Sequence, residues 1–298
     1  MVSRGAPVKN APDLGSLGEW LGVTARRLAR AGIDSARLDA RLLAAHALDW
    51  DQVKILSHPE YQPDAREMPR LDALVMRREG REPLAHITGG REFWGLDFTV
   101  SADTLVPRPD SETLIEAVLG ATPDRDAKLR ILDLGTGSGC LLLALLSELP
   151  NAEGVGVDVS EAALKIAETN ARNLGLGART AFRQSDWGES LDGLFDLIVC
   201  NPPYIAETEL ADLEPEVARF EPHLALLGGA DGLGCYRALI PHFAGFLKKQ
   251  GQAFFEIGST QVEPVSALFG GFGFEIIAVH EDLARRPRVV EVKNFLKK

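Results

Sequence analysis

The amino-acid sequence predicts an α/β fold, in which helices cover both faces of a parallel sheet and a smaller helical domain comes first. After residue 108, short apolar runs typical of strands alternate with longer helical patterns, the order that builds parallel sheets. A glycine-rich loop follows the first of these runs, and polar residues stand at the ends of several others. Because ligands bind beyond the carboxyl ends of parallel strands, this edge of the sheet is the predicted site.

The chain begins with a predicted arm and a helical domain. Residues 1–12 contain two prolines among mixed small residues, so we expect a flexible arm. Residues 13–84 have helical periodicity and are predicted to form the first domain. We expect a helix with Leu17, Trp20, Leu21 and Leu28 on one face, a second capped by Asp34 and carrying Leu38, Leu42 and Leu43, and a third over residues 65–78 with Leu71, Leu74 and Val75 inward.

A linker and a second domain complete the predicted organisation. Residues 85–107 are predicted to be a β-hairpin linker, because apolar and polar residues alternate around Gly95. Residues 108–298 form the predicted second domain, and their glycine cluster at 228–232 is interpreted as a structural loop, with a wall of the substrate cleft as the alternative. Strands are expected at residues 130–133, 153–158, 180–184, 195–200, 252–257, 275–280 and 289–294.

Composition narrows the class of protein. The 298 residues are 45% hydrophobic, which suits folded domains with a sizeable core. Cys140, Cys200 and Cys235 have no CxxC spacing and are interpreted as small core residues, so neither a disulfide framework nor a metal site is expected. The sequence has no run of 18 apolar residues and no apolar segment near its start, so we expect a cytoplasmic protein without a membrane partner.

Charge is distributed unevenly along the chain. Residues 1–90 hold 13 basic and 12 acidic side chains, whereas residues 91–298 hold 19 basic and 31 acidic ones, which accounts for the net charge of −11. A protein that grips duplex DNA usually has a basic stripe, so no direct nucleic-acid partner is expected. The acidic second half suits a partner with a basic surface, and a generally acidic surface is the alternative.

The glycine loop predicts a nucleoside-containing cofactor. It follows an apolar strand, and Asp158 comes where the next strand ends, at the position where a carboxylate binds ribose hydroxyls. A dinucleotide site needs its third glycine where Cys140 stands, and Asp133 would repel a pyrophosphate but favour a cationic amino-acid group, so S-adenosylmethionine fits better than NAD. The predicted cofactor-binding residues are Asp133, Leu134, Gly135, Thr136, Gly137, Asp158, Asp186, Trp187 and Asn201.

A second motif predicts a pocket for a flat NH2 group. Asn201-Pro202-Pro203-Tyr204 directly follows a predicted strand. The two prolines stiffen the turn and remove two backbone donors, which leaves carbonyl oxygens and the Asn201 side-chain oxygen as acceptors. Tyr204 could cover one face of a planar amide or amine bound there. The alternative is an ordinary turn after a strand. For both Asp158 and Asp186 the alternative is a helix cap or a turn residue, and for Trp187 it is a core residue.

From Leu84 onward the chain closely resembles the PrmC/HemK family of S-adenosylmethionine-dependent methyltransferases, over about 200 collinear residues. Besides the glycine loop and Asn201-Pro202-Pro203-Tyr204, the matching segments are His86-Ile87-Thr88-Gly89, Arg91-Glu92-Phe93-Trp94-Gly95, Leu105-Val106-Pro107-Arg108-Pro109-Asp110-Ser111-Glu112, Gln184-Ser185-Asp186-Trp187, Phe220-Glu221-Pro222, Asp231-Gly232-Leu233 and Glu256-Ile257-Gly258 with Gln261. The resemblance weakens at two places. After Pro109 the family more often has Glu-Thr-Glu than Asp110-Ser111-Glu112, and the turn at residues 282–288 lacks the glycine usual after its aspartate.

The resemblance implies a fold and a reaction. The fold is a Rossmann-like class I methyltransferase with a seven-stranded, mostly parallel sheet, a β-hairpin and a small N-terminal bundle that recognises the protein substrate. The reaction methylates the side-chain nitrogen (N5) of the glutamine in the Gly-Gly-Gln motif of peptide chain release factors, which would be the partners of a monomeric enzyme. Asn201, Pro202, Pro203 and Tyr204 would be the catalytic and substrate-binding residues, whereas the roles of Arg108 and Glu112 stay open.

Three other functions are compatible with the same motifs. A ribosomal-protein glutamine methyltransferase would use the same chemistry on another protein. A DNA adenine-N6 methyltransferase would bind a flipped-out exocyclic amine in the same pocket, although the acidic second half disfavours it. A regulatory module that binds the cofactor without transferring its methyl group would share the fold.

Overall fold

The computed structural model describes residues 15–189 and 191–294. The predicted arm at residues 1–12 lies outside them. The chain divides into two compact units, the first ending at Thr88 and the second beginning at Gly89. In the part of the chain that the structure describes, no helix has both the length and the apolar character needed to cross a membrane.

The first unit is helical. Its core includes Leu17, Trp20 and Leu28, which are almost fully buried and share one face of the first helix, as predicted. That helix is capped by Ser16, whose side chain accepts a hydrogen bond from the backbone N–H of Glu19. The helices of this unit are α1 (Leu17–Arg30), α2 (Ala36–Leu48), α3 (Gln52–Ser57), α4 (Glu67–Glu79) and α5 (Leu84–Thr88).

Several details of this unit differ from the prediction. The residue before α2 is Ser35 rather than Asp34, and no side chain caps that helix. Leu38 is 42% exposed, because the buried face of α2 runs through Ala36, Ala40 and Leu43 and puts Leu38 on the opposite side. The short helices α3 and α5 were not predicted, since so few residues give no measurable period. The three apolar residues expected on α4 are buried, namely Leu71, Leu74 and Val75.

The second unit opens with a hairpin that is shorter than the predicted linker at residues 85–107, because residues 84–88 form α5 of the first unit. Strands β1 (Gly90–Phe93) and β2 (Leu96–Thr99) pair antiparallel through a two-residue turn. Both turn residues, Trp94 and Gly95, have positive φ angles, of 55° and 69°, which match the right-handed twist of the strands. The backbone N–H of Trp94 donates to the Glu112 carboxylate at 2.9 Å, so Glu112 anchors the hairpin.

A seven-stranded sheet forms the body of this unit, in the order β5-β4-β3-β6-β7-β9-β8. Neighbouring strands are parallel from β5 through β7, and β9 is antiparallel to both of its neighbours. The sheet is therefore mostly parallel, as predicted. Its strands are β3 (Arg130–Leu134), β4 (Glu153–Asp158), β5 (Thr180–Gln184), β6 (Phe195–Cys200), β7 (Leu247–Glu256), β8 (Phe274–Glu281) and β9 (Pro287–Asn294).

Strand β7 begins earlier than predicted, at Leu247 instead of residue 252. Leu247 pairs with Phe195, but the pairing shifts register before it resumes between Leu197 and Gln252. The polar residues of this irregular stretch and Gly251 hide the strand pattern in the sequence.

Helices cover both faces of the sheet and bury two apolar cores. One core includes the leucine-rich helix α7, which is hydrophobic all round and buried on nearly every side, and the other includes Tyr236, Phe243 and Phe269. The helices are α6 (Glu112–Ala121), α7 (Cys140–Glu148), α8 (Glu161–Asn173), α9 (Pro215–Phe220), α10 (Gly234–Phe243) and α11 (Val262–Gly271).

Glycines in β4 bring α7 and the glycine loop close to the sheet. A Cβ atom at Gly154 would lie 2.5 Å from a Leu142 methyl carbon, and one at Gly156 would lie 2.8 Å from the Thr136 hydroxyl oxygen. These contacts are shorter than van der Waals packing allows, so close approach of β4, α7 and the loop depends on both glycines.

Replacing Gly154 with Ala should lower the free energy of unfolding by about 1–3 kcal/mol, because the new methyl group overpacks the contact with Leu142. The matched control is Gly120→Ala in α6, where a Cβ meets nothing within 4 Å. This change should raise the free energy of unfolding by about 0.5–1 kcal/mol through helix propensity. Urea unfolding followed by circular dichroism measures both, and equal or reversed effects would contradict the packing account.

Candidate active site

The predicted site residues meet where β3, β4 and β6 end. A cavity of about 340 Å³ opens at this edge of the sheet. Two motifs that lie far apart in the sequence line the same cavity, since the glycine loop forms one wall and the turn after β6 forms another. Of the predicted residues, those that line it are Gly135, Thr136, Gly137, Asp158, Asp186, Trp187, Asn201 and Pro203, and those that do not are Asp133, Leu134, Pro202 and Tyr204.

The glycine loop is fixed to the neighbouring strand by its backbone. The N–H groups of Gly135 and Thr136 both donate to the Val157 carbonyl, at 2.9 and 2.8 Å. Gly135, Gly137 and Gly139 have φ angles of 72°, 54° and 81°, a region in which any other residue would be strained. The loop therefore presents bare backbone to the cavity, and Gly139 leads into α7.

Asp158 is held at the cavity edge by two backbone donors. Its Oδ2 accepts from the N–H of Gly137 at 2.9 Å, and its Oδ1 accepts from the N–H of Ser160 at 2.9 Å. The carboxylate is half-buried and lines the cavity. Each oxygen keeps a free lone pair, so Asp158 can accept further hydrogen bonds from a ligand hydroxyl.

Asp133 lies behind the loop and is completely buried. Its Oδ2 accepts from the Thr136 hydroxyl at 2.6 Å, while its Oδ1 has no hydrogen-bond partner in the described part of the protein. Burial raises the pKa of this carboxyl to about 7, with a further rise from the charge of Asp158, against the opposing effect of the Thr136 hydrogen bond. A cation in the cavity would stabilise the ionised form of Asp133.

The loop after β5 carries Asp186 and Trp187. Asp186 is exposed, whereas Trp187 is half-buried and has a φ angle of 46°. The Trp187 ring packs against one apolar core and lines the cavity as well, so the binding and core interpretations of this residue both describe its position. A Cβ at Gly135 would lie 3.8 Å from the Trp187 ring, so this side chain closes one end of the glycine loop.

The turn Asn201–Tyr204 divides the first cavity from a second one of about 320 Å³. Asn201 lines both cavities, Pro203 lines the first, and Pro202 and Tyr204 line the second. The Asn201 Nδ2 donates to the Ser111 hydroxyl at 3.4 Å. Loss of solvent around the half-buried Tyr204 hydroxyl and the charge of Glu256 raise the pKa of that hydroxyl well above its usual value.

The turn is supported from behind by the glycine cluster at 228–232. The N–H of Gly228 donates to the Ile205 carbonyl at 2.9 Å, and the Gln261 side chain donates to the Tyr204 carbonyl at 3.0 Å. A Cβ at Gly228 would lie 2.7 Å from the Pro203 carbonyl oxygen. The cluster is therefore a structural loop that packs on the turn, which was the favoured interpretation.

Arg108 and Glu112, whose roles the sequence left open, differ in position. Arg108 lines both cavities and its Nη2 pairs with Glu221 at 2.6 Å. Glu221 also accepts from the backbone N–H of Val106 at 3.3 Å, which ties the segment before Arg108 to the cavity wall. Burial raises the pKa of the Glu221 carboxyl. Glu112 lines neither cavity and holds the hairpin instead.

Ser111 and Glu256 contact the site residues although sequence reasoning gave them no role. Both lie in segments that match the family, which was the available signal. Ser111 is 3% exposed and accepts from Asn201, and Glu256 is 1% exposed and accepts from the Tyr204 hydroxyl at 3.5 Å. Neither side chain is near Asn201 in the sequence, so no local pattern could reveal the contacts.

The donor set fits a cationic adenosyl cofactor. Carboxylates at the ends of β3 and β4 would repel a pyrophosphate but suit ribose hydroxyls and a positively charged amino-acid group. Asp133 in particular has a buried oxygen without a partner, which a cation would compensate. Among residues 15–189 and 191–294, no cluster of histidine, cysteine and carboxylate side chains could hold a metal ion.

Two families match parts of the chain. Residues 19–89 match the PrmC N-terminal domain, and residues 125–228 match a methyltransferase domain. Among solved structures, the hMettl16 catalytic domain in complex with the MAT2A 3'UTR hairpin 1 superposes with a TM-score of 0.54 over 79% of this chain and 82% of that one. At 16% identity, this similarity supports the fold alone.

Curated relatives cover nearly the whole chain. The release factor glutamine methyltransferase of Rhodospirillum rubrum is 44% identical over 284 residues, which are 95% of this chain and 87% of the relative. The protein of the same name from Cereibacter sphaeroides is 43% identical over 90% of this chain and 94% of its own length. With identities this high over both domains, the chain belongs to the release factor glutamine methyltransferase family.

Proposed function

We propose that this enzyme transfers a methyl group from S-adenosylmethionine to the side-chain nitrogen (N5) of the glutamine in the Gly-Gly-Gln motif of peptide chain release factors. The observation that carries the proposal is the position of Asn201, which lies in the wall between two cavities. The first cavity is lined by the glycine loop and Asp158, and the second is lined by Pro202 and Tyr204. A cofactor in the first and an acceptor side chain in the second would meet at Asn201.

Different residues of the first cavity would bind different parts of the cofactor. The backbone from Gly135 to Gly137, with Leu134 before it and Thr136 within it, would hold the methionine part, and Asp133 would compensate its charge. Asp158 would accept hydrogen bonds from the ribose hydroxyls, and Asp186 and Trp187 would border the adenine. When bound, S-adenosylmethionine supplies a methyl group on a positively charged sulfur, which is electrophilic enough for a weak nucleophile.

The turn after β6 positions the acceptor. An amide nitrogen is a weak nucleophile because its lone pair is delocalised, so the enzyme must orient it. The Asn201 Oδ1 and the Pro202 carbonyl would accept the two N–H bonds, and this would aim the nitrogen lone pair at the first cavity. Pro203 keeps the turn rigid and Tyr204 covers the amide plane. The product sheds its proton after transfer, and no described histidine lines either cavity as a base.

The same acceptors explain why glutamine would be chosen over glutamate. A glutamate carboxylate has no N–H to donate and brings a negative charge against two oxygen acceptors. A site built to bind an NH2 group rejects an analogue without it by about 10⁴-fold. An adenine amine would satisfy the same acceptors, so DNA that contains adenine is the control acceptor that separates the two substrate classes.

The protein partner, the cellular location and the oligomeric state are also proposals. We assign recognition of the release factor to the helical unit, with the domain limits 13–84, 85–107 and 108–298, and we place the enzyme in the cytoplasm as a monomer that does not bind nucleic acid directly. The second unit has 31 acidic and 19 basic side chains in residues 91–298, which would favour encounter with a basic loop.

Transfer of labelled methyl to purified release factor tests the proposal. The parallel acceptors are a release factor with its Gly-Gly-Gln glutamine replaced by alanine, ribosomal proteins, and duplex DNA that contains adenine. Label on the release factor that disappears in the alanine form is the expected result. Label only on ribosomal protein or DNA would keep the amide or amine pocket and overturn the proposed substrate, and cofactor binding without any transfer would indicate a regulatory module.

Replacing Asn201 with Ala removes one of the two acceptors. The turnover number should fall roughly 10- to 100-fold, which corresponds to about 1–3 kcal/mol of lost orientation. Steady-state methylation of the release factor measures this fall. The matched control is Asn173→Ala at the exposed end of α8, which should keep wild-type turnover. Wild-type turnover in the Asn201 variant would contradict the pocket.

Asp133 should make cofactor binding depend on pH. Its pKa of about 7 is raised in the free enzyme, and a bound cation favours the ionised form, so binding releases a proton and strengthens as pH rises. From about pH 5.5 to 7, the affinity for S-adenosylmethionine measured by calorimetry should rise roughly tenfold. Asp133→Asn should abolish this dependence, whereas Glu256→Gln, at a carboxyl of similar pKa outside the first cavity, should keep it. A slope that persists without Asp133 would refute the assignment.

Charge steering should appear as salt dependence. Raising ionic strength from about 0.02 M to 0.15 M should lower kcat/KM for the release factor severalfold, because screening weakens attraction between exposed charges. A short uncharged peptide with the same glutamine should show no such change. Equal salt responses of the two acceptors would mean that the acidic surface does not steer the partner.

A further inference from the structure

A row of buried polar side chains lies behind Asn201. The Asn201 Nδ2 donates to the Ser111 hydroxyl at 3.4 Å. The Ser111 hydroxyl lies close enough to the Glu256 carboxyl to lower its pKa as a hydrogen-bond donor. The Tyr204 hydroxyl donates to the Glu256 Oε1 at 3.5 Å from the other side. Ser111 precedes α6 and Glu256 ends β7, so two distant segments meet at the turn after β6. Ser111 and Glu256 are 3% and 1% exposed, and their contacts with Asn201 and Tyr204 are partly buried.

Which groups in this row donate hydrogen bonds and which accept them follows from their chemistry. When Glu256 is ionised its carboxylate can only accept, so it takes the Tyr204 hydroxyl proton and can take that of Ser111. With its proton committed, the Ser111 oxygen can only accept from Asn201, which selects the Nδ2 end of that amide. In the opposite flip, the Asn201 Oδ1 would face a hydroxyl oxygen whose proton points elsewhere. The row therefore holds Asn201 in one of its two flips.

Glu256 carries a cost that the fold alone does not explain. Its Oε2 is buried and has no hydrogen-bond partner in the described chain. The charge of Arg288 lowers the pKa of this carboxyl, but the Arg288 Nη2 donates to Asp110 at 3.0 Å and Asp282 at 3.1 Å instead. Burial raises the pKa of the Glu256 carboxyl to about 7, against the favourable effects of Ser111, Arg288 and Tyr204. An apolar residue here would cost less, which argues that the acceptor oxygen has a function.

We propose that Ser111 and Glu256 are positioning residues, which lock the Asn201 amide in the flip that turns Oδ1 toward the acceptor nitrogen and so set the preference for an NH2 group over a carboxylate. The inference rests on the proposed function, since it specifies how the same site selects glutamine. With the lock removed, Asn201 could turn Nδ2 toward the acceptor and donate to a glutamate carboxylate.

Four variants separate the hydrogen bonds from packing. Ser111→Ala and Glu256→Leu remove the links, whereas Ser111→Thr and Glu256→Gln keep a hydroxyl and an acceptor oxygen. At pH 8, the first pair should lose roughly 10- to 100-fold in kcat and keep the wild-type affinity for S-adenosylmethionine within about twofold. The second pair should retain most of the wild-type kcat. Unfolding temperatures identify any variant whose fold is damaged. If Ser111→Thr does not fold, the comparison of Glu256→Leu with Glu256→Gln is sufficient.

Binding selectivity gives a readout that a structural role would not move. The test compares the affinities of the cofactor-loaded enzyme for release factor with the native glutamine and with glutamate in its place. Ser111→Ala and Glu256→Leu should reduce the ratio of these affinities about tenfold or more, with wild-type ratios in Ser111→Thr and Glu256→Gln. Unchanged ratios in the first pair, or equal losses in both pairs, would overturn the inference. Failure of the proposed function is a separate outcome, since the wild-type enzyme would then label no release factor.

Discussion

The site depends on the parallel pairing of β3 with β4 on one side and β6 on the other. Leu134 pairs with Val157 and with Cys200, so the three strands end in register. Parallel strands present their carboxyl ends at one edge, and the glycine loop, Asp158 and Asn201 are adjacent only for that reason. The loop then bonds back to Val157 through two N–H groups, which fixes its position relative to the strands. The contacts attributed to the glycine loop, Asp158 and Asn201 follow from this register.

The site is assembled at a cost in stability. Asp133 and Glu256 are fully buried carboxyls, each with one oxygen that finds no partner among the described residues, and burial raises the pKa of both to about 7. Groups of this kind are expensive in a fold and are typical of functional positions. Asp133 lies behind the glycine loop of the first cavity, and Glu256 lines the second cavity. Asp133 suits the binding of a cationic cofactor, whereas Glu256 suits the orientation of the acceptor amide.

Sequence reasoning predicted what is local and missed what is not. The glycine loop, Asp158 and the Asn201 turn are each readable from short motifs, and the parallel sheet follows from the alternation of strands and helices. The contact of Ser111 with Asn201 spans 90 residues and that of Tyr204 with Glu256 spans 52, so no spacing rule reaches them. The start of β7 and the cap of α2 were wrong because a register shift and the choice between adjacent polar residues depend on tertiary pairing. The hairpin was predicted, but its anchoring by Glu112 was not.

The central claim is that a glutamine amide binds at the wall between the two cavities, with its nitrogen held by Asn201 and Pro202. The most direct measurement is a crystal structure of the enzyme with the demethylated cofactor and a release factor. We expect the glutamine nitrogen to lie within about 3.2 Å of both the Asn201 Oδ1 and the Pro202 carbonyl oxygen. The cofactor sulfur should lie in the first cavity, on the side of the nitrogen away from these two oxygens. A glutamine bound elsewhere, or with its carbonyl oxygen turned toward Asn201, would contradict this claim.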